Sequence, residues 1–144
     1  MATCAYSPDG GLLVTGADDA KVKVWDATAG SCFVTFTDHT APVTAVAFLP
    51  NNTALVSASL DGTCRAYDLV RYRNFRTMAT PQPVQLASLA VDPGGEVVCA
   101  GSLDTFQVSC GVCGNPVSTH LSHAWIGNRT WGFDMQREQR QSWR

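Results

Sequence analysis

"DDAKVKVWDATAGSCFVTFTDHT", Asp18 to Thr40, decides how the chain folds. Val22, Val24 and the Trp25-Asp26 pair read as one short strand, in which alternate residues face opposite sides. "Asp26-Ala-Thr-Ala-Gly30" separates it from the next strand. "CFVTF" reads as a second strand, and Asp38-His39 leads into the next apolar run. Two short strands separated by a Gly-containing turn form a hairpin signal.

Outward from this stretch, the chain repeats itself. Pro8, Pro50 and Pro93 correspond at separations of 42 and 43, and Asp19, Asp61 and Asp104 do the same. Trp25-Asp26 matches Tyr67-Asp68 at 42, and Phe33 matches Phe75 at 42. In the second unit "VTAVAF" is too apolar for a strand facing water, "LPNN" is a turn, and "TALVSAS" is a strand. "LDG" is then a tight turn, "TCRAYD" a third strand and "NFRTMAT" a fourth. Apolar residues do not recur at spacings of three and four, which a helical repeat needs. Four short antiparallel strands per unit is the layout of a propeller blade.

The repeat resembles the WD-repeat family, whose period is about 40–45 residues with Gly-His near the start and Trp-Asp near the end. "VKVWD" carries the full Trp25-Asp26 signature. "DHTAPVTAVAF" puts His39 in the His position with Asp38 in place of Gly, and "AYD" puts Tyr67 in place of Trp. The resemblance implies an all-β fold of WD-repeat β-propeller blades. The expectation is two nearly complete blades and part of a third, not closed into a ring, over residues 1–108. A propeller closes with about 4–8 blades, so a marginal or self-associating fold is expected of the chain alone. The resemblance also implies a hydrogen-bonded chain in each blade. Its members would be His39, Asp61, either Ser57 or Ser59, and the Tyr67 hydroxyl in the second unit, with Asp19 and Trp25 in the first and Asp104 in the third.

Within the family, "RYRNFRT" (71–77) and "LAVDPGGEVVCAGSLD" (89–104) resemble the periodic tryptophan group, scaffolds of the small-subunit processome. That likeness implies a non-catalytic scaffold in ribosomal RNA processing and small-subunit assembly, in the nucleus and nucleolus. Its partners would be protein subunits of a large ribonucleoprotein, with RNA contact weak or indirect. The alternative is a general WD-repeat adaptor in signalling or vesicle coats. Arg71, Tyr72, Arg73, Asn74 and Arg76 form the candidate partner-binding loop. Cations interleaved with aromatic rings suit single-stranded RNA as well as an acidic protein surface. On the structural reading Phe75 belongs to the fourth strand and is a core residue.

Composition narrows the function classes. Hydrophobic residues make up 45%, enough for a core, and the net charge of -2 offers no overall attraction to nucleic acid. Charged residues are 15%, against roughly 25% in an average soluble domain, which suits a surface that contacts other protein. No apolar run approaches the roughly 18 residues of a membrane span, and "MATCAYSPDG" lacks the pattern of a signal peptide. Of the six cysteines, Cys4, Cys32, Cys64 and Cys99 sit singly among apolar residues, as small buried hydrophobes do. There is no Gly-rich phosphate loop, no Ser-His-Asp set at convincing spacing and no carboxylate cluster. An enzyme, a cofactor and a small-molecule substrate are therefore not expected.

From residue 109 the repeat is lost. Residues 109–144 are expected to form a disordered tail, made by alternative splicing or by a shifted reading frame. A Phe-Val-Trp coding read one base late gives Ser-Cys-Gly, which is Ser109 to Gly111. Cys110, Cys113, His120 and His123 offer zinc-ligand chemistry, but their spacing departs from the usual finger, which has about 12 residues between its pairs. No metal is expected there.

Overall fold

The computed structural model describes residues 3–79, 84–95 and 97–103, and the backbone of residues 108–112. These residues form three antiparallel sheets and no helix. The first sheet is β1 (Thr3–Tyr6), β2 (Leu12–Gly16), β3 (Val22–Asp26) and β4 (Cys32–Phe36), in that order. The second is β5 (Val43–Phe48), β6 (Ala54–Ser59), β7 (Thr63–Asp68) and β8 (Arg73–Ala79). The third is β9 (Leu86–Val91), β10 (Val97–Ser102) and β11 (Val108–Val112). Each sheet is a meander of neighbouring strands, as a propeller blade is built, and the three do not close into a ring.

Turn chemistry sets the strand ends. Asp19 and Asp61 each accept the backbone N–H two residues on, from Lys21 at 3.1 Å and Thr63 at 2.9 Å. Asp26 and Asp68 do the same at the next turn and also hold the N–H of Ala29 and Arg71. Such side-chain turns favour a reversal over strand continuation. Left-handed residues recur one repeat apart: Gly10 (φ 74°) and Asn52 (φ 58°), Ala20 (φ 63°) and Gly62 (φ 80°), and Gly30 (φ 67°) and Tyr72 (φ 53°).

The core lies between sheets. Val14, Val22, Val24 and Phe36 of the first sheet pack with Val43, Val46, Phe48, Leu55 and Tyr67 of the second. The rings of Phe36 and Tyr67 stack with centroids 4.2 Å apart. The other side of the second sheet, with Ala54, Val56, Ala58, Cys64 and Ala66, packs against Val98, Leu86 and Ala100 of the third. Every residue of β6 is accordingly buried. β5 runs beside β1 on one side and β9 on the other, and the Thr44 hydroxyl donates to the Leu86 carbonyl at 2.8 Å. At Gly16 an added Cβ would stand 2.5 Å from Val43 Cγ1, so the first two sheets approach too closely there for any side chain.

Three expectations change. Phe75 is not a core residue but 49% exposed. The β7–β8 register passes from Tyr67↔Asn74 to Ala66↔Arg76, so Phe75 is the extra residue of a bulge. Strand pairing does not stop at residue 108, because β11 pairs with β10 as far as Val112. Of the four single cysteines, Cys64 is buried and Cys99 half-buried, but Cys4 and Cys32 are exposed, both lying in strands at a sheet edge.

Candidate functional site

Two features built by these sheets bear on function: a buried polar chain in the second sheet and an exposed turn on its rim. The buried chain starts at His39, which sits between β4 and β5 and is 5% exposed. Its Nδ1 lies 2.9 Å from Asp61 Oδ2 and its Nε2 lies 2.6 Å from Ser57 Oγ. An ionised carboxylate only accepts, so Nδ1 carries the proton and donates to Asp61, while Nε2 accepts from the Ser57 hydroxyl. Asp61 also accepts from the N–H of Thr40 at 3.2 Å and, through Oδ1, from the N–H and hydroxyl of Thr63 at 2.9 and 2.6 Å.

Ser59 points to other partners. Its hydroxyl donates to the Ala41 carbonyl and accepts the Asp61 N–H. Of the two candidate serines, therefore, Ser57 meets the imidazole. In the first sheet Trp25 Nε1–H donates to Thr15 Oγ1 at 2.9 Å. Thr15 stands one repeat before Ser57, and Trp25 one repeat before Tyr67. Tyr67 does not repeat that bond: its hydroxyl is buried with no hydrogen-bond partner. A phenol oxygen lies in a different place on its ring from an indole N–H, so the swap of Tyr for Trp does not carry the bond over. Asp104 lies outside the described residues.

The electrostatics agree with a buried, neutral imidazole. Burial pushes the His39 pKa down, against the pull of the Asp61 hydrogen bond and charge. Burial pushes the Asp61 carboxyl up, but the Thr63 hydroxyl, His39 and the N–H groups of Thr63 and Thr40 outweigh it and hold the pKa at about 2. Burial is also the main reason that the Tyr67 phenol is pushed up to about 12, and the negative charge of Asp38 adds to it.

Hydroxyl, imidazole and carboxylate stand here in the order of a hydrolytic triad, which the sequence spacing does not suggest. Ser57 is 0% exposed, so no substrate reaches its oxygen. The arrangement pins β6 and the turn before β7 to the segment entering β5, since buried polar groups hold position only when paired.

Two expected results follow. A histidine whose folded pKa is depressed adds stability above its unfolded pKa and loses it as pH falls. The chain should therefore weaken as pH drops below the ordinary value of 6.5. Asp61 adds a second loss between its ordinary 3.8 and about 2. Urea midpoints measured from pH 7.5 to 5 should fall in the parent and fall less in His39→Gln. The second result concerns Tyr67→Phe, which removes a buried hydroxyl that has no partner. It should leave stability unchanged or raise it by about 1 kcal/mol, read from the same urea curves.

The rim turn places its residues differently. Arg71, Tyr72 and Arg73 are exposed, whereas Asn74 and Arg76 are half-buried. Asn74 Nδ2 donates to Thr77 Oγ1 at 3.0 Å. Tyr72 meets Phe33 of the first sheet edge-on, with centroids 6.1 Å apart. Phe33 is the bulge residue of β4, one repeat before Phe75, and is 44% exposed. Sequence reading missed Phe33, Phe75 and Val70 as surface groups. Among the described residues, no cluster of three or more His, Cys, Asp or Glu side chains is placed to hold a metal ion. Cys113, His120 and His123 lie outside the described residues, and Cys110 is described only as backbone of β11.

Comparison with known proteins bears on both features. The family model described as "WD domain, G-beta repeat" matches residues 2–26 and 30–68. Periodic tryptophan protein 2 of Arabidopsis thaliana is 59% identical over 103 residues, which is 72% of this chain and 11% of that protein. Its namesake in Saccharomyces cerevisiae is 58% identical over 104 residues, again 72% and 11%. Pre-mRNA-processing factor 19 of Oryza sativa subsp. japonica is 36% identical over 110 residues, 74% of this chain and 21% of that protein. The chain thus spans between about a tenth and a fifth of the length of these relatives.

Proposed function

We propose, from the premise that this is a WD-repeat chain, that it serves as a non-catalytic scaffold in nuclear RNA processing. The specific form of the proposal is a part in ribosomal RNA processing and small ribosomal subunit assembly, in the nucleolus. One observation supports it above the others: the chain's likeness to proteins named Periodic tryptophan protein 2 in plant and yeast. The likeness to a protein named for pre-mRNA processing supports the broader reading.

The architecture suits such a role. Sheets packed face to face form a rigid support, and their turns stand out at the rim, where binding residues tend to collect. The polar chain through His39 fixes the strands that present those turns. On this reading the partners are protein subunits of a large ribonucleoprotein, and RNA contact is secondary.

A chimera tests the proposal. The 104 matched residues of the Saccharomyces cerevisiae relative would be replaced by the corresponding residues of this chain. Growth and small-subunit ribosomal RNA should stay near parental levels, with the chimera in the nucleolus. A chimera that is folded and abundant but fails to process ribosomal RNA would instead favour a general adaptor.

A further inference from the structure

We infer that the rim shared by β4 and the turn before β8 is a docking site for a short protein segment rich in acidic and apolar residues. The inference deepens the scaffold reading, since it names what such a scaffold would hold.

Three observations converge on it. The first is the pair of bulges. At the same repeat position in β4 and β8 they set Phe33 and Phe75 at the surface, 44% and 49% exposed. Val70, in the same turn, is 70% exposed.

The second is Tyr72. The first sheet makes the equivalent turn with Gly30 at φ 67°, and the second makes it with Tyr72 at φ 53°. A bulky residue in the left-handed region is strained, and glycine makes the turn without strain. Folding therefore gains nothing in the backbone from Tyr72. Its ring is 55% exposed and stands edge-on to Phe33 across the gap between sheets. Strain of this kind tends to be kept where a side chain has a task.

The third is charge. Arg71 and Arg73 are exposed and flank Tyr72 in the chain. Both act on Asp68, the carboxylate of the turn. Asp68 Oδ1 already accepts the N–H of Val70 at 2.7 Å and of Arg71 at 3.1 Å. Two guanidiniums thus face one committed carboxylate, and the surplus is complementary to an acidic partner.

Protein fits this surface better than RNA. The Phe33 and Tyr72 rings meet at 80°, so they do not offer the parallel faces on which successive bases stack. An edge-to-face pair beside an exposed Val suits aliphatic and aromatic side chains.

Binding can be measured on the full chain by fluorescence anisotropy. The probe is a labelled 12-residue peptide in which Asp and Glu alternate with Leu and Phe. A 12-residue polyglutamate and a 10-nucleotide polyuridylate serve as comparisons. The alternating peptide should bind in the micromolar range, and both comparisons at least about tenfold more weakly. Phe33→Ser and Tyr72→Gly should each weaken the peptide about tenfold, and Arg73→Glu about fivefold at low salt. Tyr72→Gly should also melt no lower than the parent, which separates lost binding from lost structure. The proposal is overturned if the peptide does not bind, if Tyr72→Gly leaves its affinity unchanged, or if the RNA binds more tightly. None of these results depends on ribosome assembly, so the site can fail while the scaffold reading stands, and the reverse.

Discussion

Asp61→Ala should lower stability by about 3 kcal/mol, more than any other single change in the polar chain. The carboxylate accepts from His39, the Thr40 N–H and both donors of Thr63. A buried donor left without a partner costs about 1–3 kcal/mol; the His39 N–H carries that cost in full, and water reaches the exposed Thr40 and half-buried Thr63 donors, so they add little. His39 suffers most, because its ring is buried and its Nδ1–H has no alternative acceptor as close as Asp61. Asp19→Ala is the control. Asp19 occupies the same repeat position but accepts the Lys21 N–H at an exposed turn, so its loss should cost less than about 1 kcal/mol. Urea unfolding followed by circular dichroism gives both values. Equal effects would mean that the buried chain does not hold the second sheet.

Leu55→Ala should cost about 3 kcal/mol, within the range for a buried leucine truncated to alanine. Leu55 is 0% exposed and lies between the first and second sheets with Val46, Phe48 and Tyr67. Leu13 stands one repeat earlier and is only half-buried, so Leu13→Ala should cost about 1 kcal/mol. The pair tests packing between sheets directly, since the two leucines share a strand position and differ in what covers them. Similar losses would show that stability resides within each sheet and not between sheets.

The period of 42–43 residues, the strands and the turns were legible in the chain because they depend on neighbours in sequence. Alternation marks β3 and β7, and Asp19, Asp26, Asp61 and Asp68 close turns with backbone groups two or three residues away. His39, Asp61 and a β6 serine were legible as partners through the resemblance. Only the assembled sheets decided the rest. Which serine meets His39 depends on how far along β6 the imidazole falls, a matter of tertiary register. Whether the Tyr67 hydroxyl finds a partner depends on atoms across the sheet, and there it finds none. Phe75 reads as core by alignment, but the bulge between Ala66 and Tyr67 turns it outward. Gly30 and Tyr72 share a repeat position that the sequence shows. That Tyr72 takes the glycine conformation, and brings its ring to Phe33 of another sheet, is settled only when residues far apart in the chain pack together.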